Sequence, residues 1–352
     1  EVGGGGVSAA GTDLTVSANN VDGGIRAYNS GTGELTVTTY GTVDGTSSGG
    51  VYGKGYEGLR AYHNGTGTVS ITTHGEVKAS SSTETALRAI GNGSGEFYAH
   101  DDITSAGSDG LRADFDDGHV KITTLGNITA GSGNSGFGIR AEATSLEVTV
   151  QGNITSSNRG MRVRQYGGSS DCDISIFAAG DITVRADGAA WAQGIETRTS
   201  TSGVGNINVT TLGSVTGNAE GIDAQHRATG NVTISAMNVT GGSGSDRSTG
   251  TGIYATHTGT GTINITANGA VTSGADDGIY ANNASTEDTT ITINEGGSVS
   301  TSGTDADDFA IEATAPNGAI IVNNFGTVTG RVNLTNSNTF TNSGTWDLAG
   351  TT

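Results

Sequence analysis

The sequence is poor in the residues that build a large globular core. Hydrophobic residues make up 33% of its 352 residues and aromatic residues only 5%, with one proline and one cysteine. A single cysteine cannot form an internal disulfide, and Cys172 has no cysteine or histidine cluster near it that would suggest a zinc site. No apolar run approaches the roughly 18 residues of a membrane-spanning helix. We therefore expect no disulfide framework, no metal, no cofactor and no membrane insertion by this segment.

Positive charge is also scarce. The chain has 16 lysines and arginines against 35 acidic residues, which gives a formal net charge of −19. Nucleic acid or an anionic membrane as the main partner would require a basic surface, so the composition argues against both. Low hydrophobicity and high charge are typical of disorder, but Val, Ile, Leu and Thr recur too regularly here for a disordered chain.

Glycine is abundant, with 61 residues, and it marks an internal repeat. The segment "GIRAYNSGTGELTVTTYGTVDG" at 24–45 returns almost unchanged as "GLRAYHNGTGTVSITTHGEVKA" at 58–79. Each copy opens with an anchor of the form Gly-apolar-any-small. The apolar anchor residue recurs at Ile25, Leu59, Leu111, Ile139, Met161, Ile195, Ile222, Ile253 and Ile279, with degenerate copies at Leu87 and Ile311. A period of this length is typical of a solenoid or another repeat array.

Three short apolar segments follow one another in each copy. The second alternates apolar and polar residues, as in Leu35-Thr36-Val37-Thr38, which predicts a strand with one buried face. A glycine usually follows, such as Gly152, and it indicates a tight corner, often with positive φ. Three strands in one period are too few for a propeller blade, and no apolar stripe with the period of a helix occurs.

The pattern therefore predicts an all-β fold, a right-handed parallel β-helix. It would be a single-stranded solenoid of about eleven coils with three short strands per coil. We expect residues 1–315 to form the main repeat region and residues 316–352 to form shorter coils of the same solenoid.

A family resemblance is carried by the coil pattern "GTG-x-[IVL]-x-[IVL]-T-x-x-G-x-[VI]" and by the tail "FGTVTGRVNLTNSNTFTNSGTWDLAG", residues 325–350. Together with the low cysteine and proline content and the acidity, they resemble the passenger domains of bacterial autotransporters (type V secretion). The resemblance implies a protein secreted from, or displayed on, a Gram-negative bacterium, whose signal peptide and translocator barrel lie outside this sequence. It covers nearly the whole chain but includes no catalytic signature.

The sequence contains little that indicates a catalytic site. Acidic pairs occur at Asp101/Asp102, Asp116/Asp117, Asp276/Asp277 and Asp307/Asp308, and parallel β-helices can host polysaccharide lyases and hydrolases. These pairs fall in Gly/Ser-rich turns without a constant partner, which favours solvated corner carboxylates. The motif "GGSGSD" at 241–246 matches the start of a calcium-binding nonapeptide but lacks the tandem copies that such sites need. The six histidines show no serine-protease context. We predict that the chain is not an enzyme.

Arginines recur at one position of the repeat, directly after the anchor residue. They are Arg26, Arg60, Arg88, Arg112, Arg140 and Arg162, and Glu196, Asp223, Tyr254, Tyr280 and Glu312 occupy the position in later coils. Because the anchor residue points inward, its neighbour points outward, so these six arginines should form a ladder on one face. Two interpretations remain open. Glu57, Asp109, Asp114 and Glu142 could neutralise the ladder structurally, or it could bind sulfated or carboxylated glycans through bidentate guanidinium contacts.

Three functions follow from these observations. The first is a non-catalytic adhesin or virulence factor that binds a host-cell receptor or an anionic glycan. The second is a passive or self-associating structural rod, and the third is a polysaccharide-active enzyme built on a β-helix.

Overall fold

The computed structural model describes residues 6–9, 13–45, 57–80, 83–131, 136–167, 172–185, 192–242 and 250–348. All regular structure in these ranges is β-strand, numbered below in chain order. The chain divides into two compact units, which we call the N-terminal unit (Glu1–Gly167) and the C-terminal unit (Gly168–Thr352). The ranges above contain no helix long and apolar enough to cross a membrane.

The N-terminal unit stacks its strands in three columns, and all pairs within a column are parallel. The first column consists of β1 (Gly6–Ala9), β4 (Ile25–Asn29), β7 (Leu59–His63), β10 (Leu87–Gly91), β13 (Leu111–Phe115), β16 (Ile139–Ala143) and β19 (Met161–Gln165). The second consists of β2 (Leu14–Ala18), β5 (Leu35–Thr39), β8 (Val69–Thr73), β11 (Gly95–Ala99), β14 (His119–Thr124) and β17 (Ser145–Val150). The third consists of β3 (Val21–Asp22), β6 (Val43–Asp44), β9 (Val77–Ala79), β12 (Ile103–Ser105), β15 (Ile128–Ala130) and β18 (Ile154–Ser156).

The C-terminal unit repeats this arrangement. Its first column consists of β22 (Ile195–Arg198), β24 (Ile222–His226), β26 (Ile253–His257), β29 (Ile279–Asn283), β32 (Ile311–Thr314) and β35 (Val332–Thr335). The second consists of β20 (Ile174–Ala178), β23 (Ile207–Thr216), β25 (Val232–Thr240), β27 (Ile263–Ala267), β30 (Thr289–Ile293), β33 (Ile320–Asn324) and β36 (Asn338–Asn342). The third contains β21 (Ile182–Val184), β28 (Ala270–Ser273), β31 (Ser298–Thr301), β34 (Thr327–Thr329) and β37 (Thr345–Asp347), together with the C-terminal parts of β23 and β25.

The predicted parallel β-helix is therefore confirmed in each unit. Within the described ranges, the first columns hold seven and six strands, close to the expected count of about eleven coils. Two of these strands carry none of the eleven anchor residues: β1, where Val7 pairs with Ala27, and β35, where Val332 pairs with Ile311. Toward the C-terminus, Ile279 pairs with Ile311 and Ile311 pairs with Val332. The boundary at residues 315 and 316 stays a prediction.

The anchor residues form the core column of each unit, as predicted. Leu111, Ile139 and Met161 are register partners on successive strands, and all three are fully buried. The small residue two positions later, such as Ala113 or Ala141, is buried in the same way and keeps the coil narrow. Each apolar side chain is thus covered by its counterparts above and below, and full burial contributes about 2–3 kcal/mol per large side chain.

Neighbouring coils approach each other closely, which explains why glycine recurs at fixed positions of the repeat. A Cβ at the anchor glycine Gly138 would lie 2.2 Å from Ile154 Cγ2 and 2.5 Å from the Gly160 carbonyl oxygen. The corner glycine Gly152 would place a Cβ 2.2 Å from the Gly126 oxygen, and its φ is not positive. The expectation of positive φ at these corners is therefore wrong for Gly152, where glycine is needed because successive corners stack backbone on backbone.

Candidate anion-binding face

The six arginines lie in strict register on the outer side of the first column of the N-terminal unit. Arg26 pairs with Arg60, Arg60 with Arg88, Arg88 with Arg112, Arg112 with Arg140, and Arg140 with Arg162. The ladder predicted from the sequence is thus present as an arrangement of side chains, one strand spacing apart. We call this surface, from Arg26 to Arg164 on β4 to β19, the arginine face.

Glu57 is the buried counter-charge of two ladder arginines. Its Oε2 atom lies 3.3 Å from Arg60 Nη1 and its Oε1 atom 3.3 Å from Arg88 Nη1. The Glu57 side chain is 1% exposed, while those of Arg60 and Arg88 are 35% and 23% exposed. The Nε of Arg88 is buried without a hydrogen-bond partner. One carboxylate therefore serves two guanidinium groups, which rest against the sheet rather than extending freely into water.

Two further carboxylates, on the strands themselves, pair with the ladder. Arg112 Nε donates to Asp114 Oδ2 at 2.6 Å. Glu142 Oε1 lies 3.1 Å from Arg140 Nη2 and 3.6 Å from Arg162 Nη2. The structural interpretation from the sequence is confirmed for these two carboxylates and for Glu57.

Asp109, the fourth expected partner, behaves differently. It is 3% exposed, and its Oδ1 accepts the Phe137 backbone N–H at 3.1 Å. Burial raises the pKa of Asp109 to about 6, although the Phe137 N–H and the charges of Arg112 and Arg140 oppose that rise. Asp109 therefore fixes the chain at the start of β16. Its carboxylate interacts electrostatically with Arg112 and Arg140 but forms no ion pair with the ladder.

The arginine face keeps a surplus of positive charge after these pairings. Strands β4 to β19 carry seven arginines and two carboxylates at outward positions. Adding Glu57, Asp109 and Arg159, which stand two residues before their anchors, gives eight arginines against four carboxylates at these two sets of positions. A surface with a surplus of four positive charges thus lies on a chain whose net charge is −19.

The C-terminal unit provides an internal comparison. The position two residues before the anchor holds Gly23, Glu57, Thr85, Asp109, Phe137 and Arg159 in the N-terminal unit, and Gln193, Glu220, Thr251, Asp277 and Phe309 in the C-terminal unit. The same hydrogen bond recurs, because the Phe309 N–H donates to Asp277 Oδ1 at 2.8 Å. The ladder position, however, is occupied by Glu196, Asp223, Tyr254, Tyr280 and Glu312, which are also in register. The fold therefore does not require arginine at this position.

Acidic groups in the C-terminal unit are buried where the sequence predicted solvated corners. Asp276 and Asp277 are 3% and 0% exposed, and Asp308 is 6% exposed. Burial raises the pKa of Asp277 well above its usual value, and the neighbouring Asp276 and Glu312 raise it further. The expectation of solvated carboxylates is wrong for these three residues. Asp276 accepts the Thr251 hydroxyl, Asp277 accepts the Phe309 N–H, and Asp308 accepts the Asp305 N–H.

Three histidines act as corner clamps that the sequence analysis did not foresee. Nε2 of His226 donates to the Gly205 carbonyl and Nε2 of His257 to the Gly230 carbonyl, both at 2.7 Å, and the two rings stack 4.6 Å apart. Nδ1 of each accepts a backbone N–H, which fixes the neutral form, and burial lowers the pKa of both. His63 holds its corner in the same way through the Gly33 carbonyl and the Gly65 N–H. A histidine or asparagine four residues after an anchor residue is the sequence pattern from which these corner contacts could have been predicted.

No group of three or more His, Cys, Asp or Glu side chains in the described ranges could hold a metal ion. Cys172 is a buried cysteine. The calcium-like motif at 241–246 lies partly outside the described residues, which end at 242 and resume at 250. Comparison with known proteins finds no matching family model, no similar curated protein and no similar solved structure.

Proposed function

We propose that this chain is a non-catalytic binding protein whose arginine face holds an anionic glycan, either free or on a host-cell receptor. The observation that carries the proposal is the surplus of four positive charges on one face of a strongly acidic chain. Guanidinium groups bind sulfate and carboxylate bidentately, so a glycan with such groups along its length suits a ladder of arginines.

Energetics favour a ligand over a purely structural role. Two like charges about 5 Å apart repel by about 3 kcal/mol at an effective dielectric constant near 20, which neighbouring carboxylates relieve only in part here. The C-terminal unit builds the same columns with glutamate, aspartate and tyrosine at that position. The columns themselves therefore do not require arginine at this position, and an external anion would compensate the repulsion that Glu57, Asp114 and Glu142 leave.

A glycan suits this face better than nucleic acid. Binding of single strands relies on aromatic rings whose faces are open to the bases. On the arginine face, Tyr28 and Tyr62 stack on each other with centroids 5.2 Å apart, and Phe137 is only 9% exposed. Of these three rings only Tyr28 is exposed, whereas ionic contacts to sulfate or carboxylate need no ring.

The resemblance to autotransporter passengers supplies the setting of this proposal. It supports an adhesin or virulence factor that is secreted from, or displayed on, a Gram-negative bacterium. Protease treatment of intact cells that express the full-length protein tests it, because a displayed passenger is cleaved while the cells remain sealed. Protection of the chain in intact cells would contradict display.

The binding proposal is tested by heparin retention of three proteins. Arg60, Arg112 and Arg140 are replaced together by glutamine, and the control replaces Arg185 and Arg227, which lie in the C-terminal unit. We expect the triple variant to bind at least tenfold more weakly, or about 1.4 kcal/mol, and the control to bind as wild type. A parallel assay with a single-stranded oligonucleotide should show weaker binding. Equal heparin retention by the wild type and the triple variant would end the proposal.

The two alternatives predict other outcomes. A self-associating structural protein would sediment in a concentration-dependent way, and a polysaccharide-active enzyme would release reducing ends from a pectin or glycosaminoglycan panel. The acidic ladder position of the C-terminal unit offers little to a second copy, because Glu196, Asp223 and Glu312 are at most 6% exposed.

A further inference from the structure

Two exposed histidines lie side by side at a corner of the N-terminal unit. His74 directly follows β8 and His100 directly follows β11, and these two strands are register neighbours in the second column. The His100 N–H donates to the Thr73 carbonyl at 2.8 Å, so the two corners stack one coil apart. Both side chains are exposed, and their ring centroids are 4.4 Å apart with the planes inclined by 30°. We call His74 and His100 the histidine pair.

The histidine pair differs from the other four histidines in how its ring nitrogens are used. The three corner clamps use both ring nitrogens on the backbone, and Nδ1 of His119 lies 3.2 Å from the Ser145 hydroxyl oxygen. Within the described residues, the side chains of His74 and His100 make ring contacts only, and their nitrogens form no hydrogen bond. Four imidazole nitrogens are therefore open to a ligand at one exposed place.

Two tyrosines hold the rings of the pair in place. Tyr40, at the same corner one coil earlier, stacks on His74 with centroids 5.4 Å apart and planes 6° from parallel. Tyr98 meets the His100 ring edge-on, with centroids 4.5 Å apart. These contacts restrict the side-chain rotamers before any ligand arrives, so less conformational freedom is lost on binding.

The fold does not require histidine at this corner. In the C-terminal unit the equivalent residues, directly after β27 and β30, are Asn268 and Asn294, whose N–H groups donate to the preceding coil in the same way. Their side chains bond to each other, since Asn294 Nδ2 donates to Asn268 Oδ1 at 2.7 Å. The two asparagines thus satisfy each other across the coils, which the histidine pair does not do.

We infer that His74 and His100 together bind one divalent transition-metal ion, with water completing its coordination. Imidazole nitrogen is a preferred ligand of Cu²⁺, Ni²⁺ and Zn²⁺, and Cu²⁺ should bind most tightly. Two nitrogens each about 2.1 Å from one ion lie roughly 3 Å apart, which small ring rotations reach from the observed spacing. The next residue, Asp101, is exposed, and its negative charge favours a cation at this corner. The inference does not depend on the arginine face.

The test is a titration of the full chain with Cu²⁺ in a buffer that does not coordinate metals. Affinity is measured by calorimetry for the wild type, His74→Asn, His100→Asn and a control, His119→Asn, which removes an exposed histidine elsewhere. Asparagine is chosen because the fold accepts it at this corner. We expect each pair variant to lose roughly tenfold or more in affinity, because a single imidazole remains, and the control to bind as wild type. Equal affinity in all four proteins would overturn the inference.

Electron paramagnetic resonance of the wild type with one equivalent of Cu²⁺ identifies the ligands directly, even if a variant is less stable. Coupling to two imidazole nitrogens is the expected result, whereas a spectrum with oxygen ligands alone would contradict the site. Excess Ca²⁺ should leave the bound Cu²⁺ in place, because calcium prefers oxygen ligands. Displacement by Ca²⁺ would show that carboxylates of this acidic chain hold the ion, and would likewise overturn the inference.

Discussion

Replacing Asp109 with asparagine should stabilise the protein at neutral pH. Asp109 is buried and has no ion pair, and its folded pKa of about 6 exceeds the 3.8 of a free aspartate. That difference corresponds to about 3 kcal/mol by which the ionised carboxylate destabilises the fold at pH 7. Asparagine removes the charge but keeps an oxygen that can accept the Phe137 N–H, so most of this free energy should be recovered.

The sign of the pH dependence provides a second check. Because the folded pKa is raised, the folded state binds more protons than the unfolded state between about pH 4 and pH 6, and this group's contribution falls as pH rises through that window. Urea unfolding of both proteins from pH 4 to pH 8 should therefore give equal stabilities near pH 4 and a growing advantage for Asp109→Asn up to about pH 6. Equal stability at pH 7, or a destabilised variant, would refute the reasoning.

Three further predictions concern burial and charge. Ile139→Asn should cost ~3 kcal/mol or more in urea unfolding, because it places an unpaired amide in a column shared by neighbouring coils, and unchanged stability would contradict the stacking. Glu57→Gln should destabilise by about 2 kcal/mol, since Arg60 and Arg88 lose their shared buried partner, yet it should strengthen heparin binding by raising the positive surplus; weaker binding by the folded variant would contradict the binding face. Asp277→Asn should flatten the loss of stability as pH rises above about 4, because the wild-type carboxyl is buried beside other acids, and an unchanged pH profile would refute that assignment.

Much of the architecture can be predicted from the sequence because the same pattern of buried and exposed residues occurs in every copy of the repeat. Each anchor is an apolar residue, usually after a glycine, with a small residue two positions later, and a one-residue shift in register would expose the entire buried set. The register of Arg112 on Arg140 therefore follows once Leu111 is placed on Ile139.

The details of the candidate site depend on contacts between coils that cannot be predicted from a local sequence pattern. Glu57 was expected near the ladder, but its sharing between Arg60 and Arg88 depends on how the preceding turn folds. Asp109 and Asp277 occupy equivalent positions, yet the arginines beside one and the acids beside the other set their pKa values apart. Burial of Asp277 could not be predicted either, because a Gly/Ser-rich turn gives no sign of the surface on which it packs.

The central claim, that the arginine face binds an acidic glycan through ionic contacts, is tested most directly by the salt dependence of heparin affinity. The account predicts that the logarithm of the association constant of the wild type falls linearly with the logarithm of the salt concentration. In the variant that lacks Arg60, Arg112 and Arg140, the slope should be shallower by up to about one per arginine removed. Wild-type binding that does not depend on salt, or the same slope in both proteins, would contradict it.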